Sequence, residues 1–290
     1  MLWSTLLILA IAAGNPEAPV AGPAIKPAAV QTTQPAPKLL KTALPNTSED
    51  PAAENEILEL ANRSRAEAGL APLRMDDSLS TAAREHALRM VANEQLSHQF
   101  AGEPALLQRI SQVSSSPMDR AGENVAYNMS PEGAQRALMQ SPPHRRNLLD
   151  PEFNVAGIAA LWNGGRLYVV QDFGRELPAY STQQTRGLVA KAVSDMRHRA
   201  GLPRLTPIAD RDLDNTVCDL AKQDHLNAHA LKTRGGRGIV TYSQSHPETL
   251  PAGAINLLKD QGARQYEIGT CYARSKANPG GMYWVAIRLY

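Results

Sequence analysis

Asn154-Val155-Ala156-Gly157-Ile158-Ala159-Ala160-Leu161-Trp162-Asn163-Gly164-Gly165-Arg166-Leu167-Tyr168-Val169-Val170-Gln171-Asp172-Phe173 reads as two apolar runs joined by Asn-Gly-Gly. Asn-Gly between apolar runs marks a tight hairpin, because the central turn residues take positive φ. Strands are expected over 154–162 and 166–173. Upstream the period changes. Leu79, Ala82, Ala83, His86, Ala87, Met90 and Val91 repeat at i, i+3, i+4, the stripe of an amphipathic helix that opens after Asp76-Asp77. An earlier helix is expected to start at Asp50-Pro51, an N-cap residue and a first-position proline, and to stop at Gly69. Further helices are expected over 104–112 and, capped by Ser130, over 131–140. Ser141-Pro142 then opens a short turn carrying His144. Helices first and strands later give an α+β fold, with helices packed on an antiparallel sheet.

The chain has 290 residues, long enough for two domains with separate cores. A net charge of +2 with no Lys/Arg run leaves no footprint for nucleic acid or an anionic membrane; Arg145-Arg146 is the densest basic spot near a motif. Aromatics at 5% exclude stacking platforms for bases or sugars. Residues 1–13 hold a run rich in Leu, Ile and Ala, shorter than the ~20 residues that span a bilayer. With Ala10-Ile11-Ala12 as a small-residue cleavage site it reads as a signal peptide, although the basic n-region is missing; an uncleaved anchor is the alternative. No lipid-modified cysteine is expected there, since the first cysteine is Cys218. Residues 14–49 are rich in Pro, Ala, Thr and Gln, and eight of the 21 prolines fall between Pro16 and Pro51. Such a segment buries too little apolar surface to offset its ordering entropy, so it is expected to be a disordered linker. Cys218 and Cys271 are either a single disulfide, worth ~3–4 kcal/mol in the loop-entropy account, or two buried thiols.

The last third repeats the plan. Arg65-x-x-x-Gly69-Leu70 returns as Arg197-x-x-x-Gly201-Leu202, and Asp77-Ser78-Leu79 as Arg211-Asp212-Leu213. Gly157-Ile158 corresponds to Ile268-Gly269, and Leu167-Tyr168-Val169-Val170 to Tyr283-Trp284-Val285-Ala286. The offset shrinks from 132 residues at Arg65/Arg197 to 116 at Leu167/Tyr283, so about sixteen residues are missing between. An internal duplication accounts for this.

Three fragments carry the chemistry: Leu96-Ser97-His98, Gly122-Glu123-Asn124-Val125-Ala126, and Ser141-Pro142-Pro143-His144-Arg145-Arg146-Asn147. Two histidines and a carboxylate on separate elements can converge on one cleft. Glu123 can ligate a metal, hold a histidine tautomer or brace a turn. His86, on the apolar face of its helix, reads as a core histidine bonded to backbone. No Gly-x-Ser-x-Gly, no His-Glu-x-x-His and no early cysteine supports a serine, zinc or cysteine hydrolase of familiar type.

In order and wording these fragments resemble the CAP superfamily of secreted cysteine-rich, antigen-five and pathogenesis-related proteins, most closely its bacterial branch. The resemblance implies an α-β-α sandwich over 50–178 and a second, eroded CAP-like domain over 183–290. It makes His98, Glu123 and His144 cavity residues. The second glutamate that many eukaryotic members carry has no match near Ser141. His98, His144 and Glu123 would still form an acceptable Zn²⁺ set with water as fourth ligand. In the second repeat His225, His229 and His246 stand outside the family's contexts.

The expectation is an exported or envelope-associated, non-enzymatic binding module. Its cleft would take a small ligand, a lipid among the candidates, or a divalent metal, and its second half a protein or cell-wall partner. The competing expectation is a Zn²⁺-assisted hydrolase, with His98 and His144 holding the metal and Glu123 as ligand or base. No nucleic acid and no transmembrane span in the mature chain are expected.

Overall fold

The predicted hairpin forms, and it is the centre of a five-stranded sheet. The computed structural model describes residues 46–208, 212–225 and 236–290. In the first half the elements are β1 (Thr47–Glu49), α1 (Pro51–Glu67), β2 (Arg74–Met75), α2 (Asp77–Asn93), α3 (Leu106–Val113), β3 (Met118–Asn128), α4 (Pro131–Gln140), α5 (Pro142–Leu148), β4 (Val155–Asn163) and β5 (Arg166–Glu176). The order is β1-β4-β5-β3, antiparallel, with β2 added parallel to β4. Helix starts follow the capping logic: Asp50, Asp76 and Ser130 side chains accept from Ala53, Leu79 and Gly133 amides at 3.0, 3.0 and 3.1 Å.

Residues 1–45 lie outside the described residues, and with them the expected signal segment and most of the expected linker. The linker boundary at Glu49 needs correction, because Thr47–Glu49 pairs with Asn163, Trp162 and Leu161 as an edge strand. Strand β3 takes in the whole Gly122–Ala126 fragment and begins before it, at Met118. Its eleven residues include Glu123 and Asn124, both buried, and buried polar side chains break the alternation by which a strand is read.

Alternate residues of β4 and β5 build two cores. Ala156, Ile158, Ala160, Leu167, Val169 and Phe173 pack under α1, α4 and α5. Ala159, Leu161, Tyr168 and Val170 pack under α2. The result is the expected helix–sheet–helix layering, and each fully buried Leu, Ile or Phe contributes ~1.5–3 kcal/mol. Arg65, 1% exposed, ties the layers: its guanidinium donates to the carbonyls of Ala71 (2.8 Å), Leu148 (2.9 Å), Asp150 (2.9 Å) and Phe153 (3.1 Å).

The second half has α6 (Thr182–Arg199), β6 (Thr206–Pro207), α7 (Asp212–Lys222), β7 (Gly238–Gln244), α8 (Ala252–Leu258), β8 (Gln265–Ala273) and β9 (Met282–Leu289). Its sheet order, β6-β8-β9-β7 with β6 parallel, repeats β2-β4-β5-β3. Arg197 repeats Arg65, donating to Pro203, Leu258 and Asp260 carbonyls at 2.8, 2.6 and 3.1 Å. Cys218 on α7 and Cys271 on β8 are joined as a disulfide.

Both halves lie in one compact unit, Leu39–Tyr290. They meet through the β8–β9 loop. Arg274 donates to the carbonyls of Ser111 (2.8 Å), Ser114 and Ser116 (2.9 Å), and the Met118 amide donates to Gly280 at 2.9 Å. The Arg274 cation thus sits on the C-terminal end of α3, where free carbonyls and the helix dipole favour it.

Candidate functional site

β3 is the sheet edge, and consecutive residues on a strand point to opposite faces. Glu123 and Asn124 use this. Glu123 turns to the α2 face, where its Oε1 lies 2.9 Å from His98 Nδ1 and its Oε2 is ion-paired with Arg109. Arg109, on α3, also donates to the His98 carbonyl at 3.1 Å. Asn124 turns to the opposite face. Its Nδ2 donates to the His144 carbonyl and to Gln171 Oε1, both at 3.1 Å, and its Oδ1 accepts from Asn147 Nδ2 at 3.1 Å. Asn147 also donates to the Glu123 carbonyl at 3.0 Å. One dipeptide therefore holds His98 from one face and the helix of His144 from the other. The two imidazoles end with ring centroids 6.2 Å apart.

Behind this cleft lies a buried charge layer. His86 Nε2 meets the Ser97 carbonyl at 2.7 Å, as expected of a core histidine, but its Nδ1 faces Glu103 Oε1 at 2.8 Å. Burial opposes the charge on Glu103, yet hydrogen bonds from His86 and the Phe100 amide outweigh it and hold that carboxyl below its usual range. Asp172 stands directly across from Glu123 in the β3–β5 register, fully buried and with no donor on either oxygen. Burial first, and the charge on Glu123 second, push its pKa well above the usual carboxylate value. Among the exposed groups, the hydrogen bond to Glu123 raises the pKa of His98, whose side chain is 58% exposed. Burial, then the charge of His98, lowers that of His144. The two imidazoles are thus pushed in opposite directions, His98 toward its charged form and His144 toward its neutral form.

Glu123 bonds His98, and the ring of His144 stands 6.2 Å from that of His98. Among the described residues no group of three or more His, Cys, Asp or Glu side chains is placed to hold a metal ion. The donor set explains why. Glu123 has one oxygen on His98 and the other on Arg109, and His98 Nδ1 faces that carboxylate. A Zn²⁺ ion on Glu123 would have to break one of these two bonds, so as arranged His98, His144 and Glu123 do not form a Zn²⁺ ligand set. Glu103, Arg109, Asn124, Asn147, Gln171 and Asp172 were not singled out from sequence. The readable signal was Asp172, a charge inside the apolar run 167–173. Of the second-half histidines, His246 faces Glu248 at 3.9 Å, His225 is exposed, and His229 lies outside the described residues.

The second sheet provides an internal control. A Cβ on Gly157 would strike Leu79 of α2 at 2.1 Å, and one on Gly269 would strike Leu213 of α7 at 2.5 Å. Each glycine lets a helix rest on its strand. Across from Gly157 stands Asp172, and across from that Glu123. Across from Gly269 stands Ala286, and across from that Thr241. Seven residues past Leu79 is His86, and seven past Leu213 is Leu220. The same scaffold therefore forms with Ala, Thr and Leu where the first half has Asp, Glu and His. The fold does not require the charges.

Residues 58–173 match the family described as CAP, the cysteine-rich secretory protein family. The uncharacterized protein YkwD of Bacillus subtilis (strain 168) is 32% identical over 127 residues, covering 43% of this chain and 48% of that protein. The uncharacterized membrane protein YlbC of the same organism is 30% identical over 122 residues, covering 42% of this chain and 34% of that protein. The chain thus spans half or less of the curated relatives it matches. Among solved structures, an extracellular protein containing an SCP domain from Bacillus anthracis str. Ames is 27% identical at a TM-score of 0.38, covering 43% of this chain and 41% of that one.

Proposed function

Since residues 58–173 belong to the CAP family, we propose that this chain is an exported recognition protein whose His98/Glu123/His144 cleft binds a small ligand without turning it over. The single observation that carries the reading is the double commitment of Glu123 to Arg109 and His98. A carboxylate bonded at both oxygens is a support for His98, and a poor general base or metal ligand. What faces outward is the His98 imidazole, biased toward its charged form by Glu123, beside the His144 ring, biased toward its neutral form, a pair that suits an anionic or hydrogen-bond-accepting group. The second half is then a degenerate CAP-like domain that kept the scaffold and serves partner contact. Among the described residues no helix is long and apolar enough to cross a membrane.

The test uses histidine-resolved NMR of the full chain titrated with inorganic phosphate and with acetate. Saturable shifts at His98 and His144, lost in His98→Ala, are expected with at least one of them. Unmoved histidine signals with both would refute anion recognition. The zinc hydrolase reading is tested by calorimetry: stoichiometric heat with Zn²⁺ that vanishes in His144→Ala would restore it.

A further inference from the structure

Arg65 and Arg197 occupy like places, but their hydrogen bonds do not end alike. Arg65 donates from all three nitrogens: Nε to Ala71, Nη1 to Leu148 and Asp150, and Nη2 to the Phe153 carbonyl at 3.1 Å. Arg197 repeats the bonds of Nε and Nη1, to Pro203, Leu258 and Asp260. Its Nη2 is buried and has no acceptor among the described residues. The counterpart of Phe153 is Ala263, which lies as far beyond it as Leu258 and Asp260 lie beyond Leu148 and Asp150. That carbonyl accepts from Arg264 Nη1 instead, at 3.0 Å. Arg197 is 1% exposed, so bulk water does not supply the missing acceptor, and an unmade bond on a buried cation is costly.

Arg197 also lines a cavity of about 170 Å³, together with Ala190, Ser194, Arg204 and Tyr266. In the first half the same places are held by Leu58, Asn62, Pro72 and Ala156. Asn62 there fills the space up to Leu73, accepting from its amide at 2.7 Å and donating to its carbonyl at 3.0 Å. The differences between the halves run one way. Leu to Ala and Asn to Ser remove bulk, while Pro to Arg and Ala to Tyr add a cation and a hydroxyl donor. Charge points in the same direction. No carboxylate lines the cavity, and Asp260, which favours the Arg197 cation, is itself clamped by Arg237 at 2.7 and 3.2 Å.

We propose that this cavity binds a small oxyanion, a carboxylate or phosphate group, held between Arg197 Nη2 and the exposed Arg204. The Ser194 and Tyr266 hydroxyls are the further donors. Guanidinium groups match both anions, because their planar forks donate paired N–H bonds to two oxygens. The alternative occupant is water, which a polar cavity of this size also holds. The site uses no residue of the histidine cleft, so either reading can fail without the other.

The experiment is calorimetric titration of inorganic phosphate, and separately of acetate, at constant ionic strength in chloride. The protein is the full chain carrying His98→Ala, which silences the cleft. It is compared with the same chain carrying Arg204→Gln, or Ala190→Leu with Ser194→Asn, which refill the cavity with side chains of the first half. Far-UV circular dichroism checks each fold, and the exposed Arg204 keeps the test standing if the refilled core does not form. Expected is saturable one-to-one binding of at least one probe, weakened at least tenfold in both variants. Binding of phosphate alone or acetate alone, lost in this way, supports the proposal and names the group. No saturable heat with either probe leaves the cavity to water and overturns it. Binding retained by either folded variant places the anion elsewhere and overturns it too.

Discussion

Arg109→Met removes the one guanidinium that reaches Glu123, Glu103 and the His98 carbonyl together. Both carboxylates are nearly sealed, with side chains 4% and 1% exposed, so water cannot replace the lost cation. Breaking a buried ion pair by deleting one partner costs ~3–5 kcal/mol, and the contacts left to the survivors, His98 on Glu123 and His86 and Arg89 on Glu103, offset only part of the lost charge. Replacing the whole set is another matter, since well-packed neutral groups in place of a buried ion network are often neutral or stabilising by ~1–4 kcal/mol. The second sheet, with Thr241, Ala286 and Leu220 at the corresponding places, already folds in that form. Arg109→Met is thus expected to lower stability by ~3–5 kcal/mol, and the added changes Glu123→Gln and Glu103→Gln to recover more than half of it. The assay is urea unfolding at pH 7 by far-UV circular dichroism, comparing midpoints at constant m-value and closing a mutant cycle over the three positions. A loss below ~1 kcal/mol for Arg109→Met, or purely additive losses in the triple variant, would refute the account of Arg109 as the neutralising centre.

Further expectations concern titration, the disulfide and the contact between halves. His98 should titrate above 6.5 and His144 below it, and Glu123→Gln should bring His98 down; NMR pH titration reads all three. In sign, the raised pKa of His98 contributes stability that is complete below 6.5 and is lost as pH rises through the folded value. The lowered pKa of His144 acts oppositely, so its stability is complete above 6.5 and is lost as pH falls through the folded value. Cys218→Ser with Cys271→Ser opens a loop closed over a separation of 53 residues and should cost about 4 kcal/mol in the loop-entropy account, measured by urea unfolding. Arg274→Gln removes the cation from three carbonyls at the end of α3, and hydrogen exchange should quicken at the Met118 amide while the β4–β5 core stays protected.

Much of this architecture is local and was legible. Asp50-Pro51, Asp76, Ser130 and Asn163-Gly164 act on their own few residues, through a cap bond or a turn conformation, and each element starts or turns where these residues place it. The like placement of two buried arginines was legible too, because Arg65 and Arg197 stand at like distances from Gly69 and Gly201. The full extent of β3 was not, since Glu123 and Asn124 look like surface residues until their partners are known.

Sequence by itself therefore determined the helices and the hairpin, and it pointed to His98, Glu123 and His144. Tertiary structure alone decided what those residues touch. Glu123 could have been a ligand, a base or a brace, and the choice was made by Arg109, fourteen residues away, which occupies its second oxygen. Asp172 has its pKa pushed up because strand register put it opposite Glu123 out of reach of water. The charge state of a buried group is set by neighbours in space and by desolvation, and neither is written in the spacing of residues along the chain.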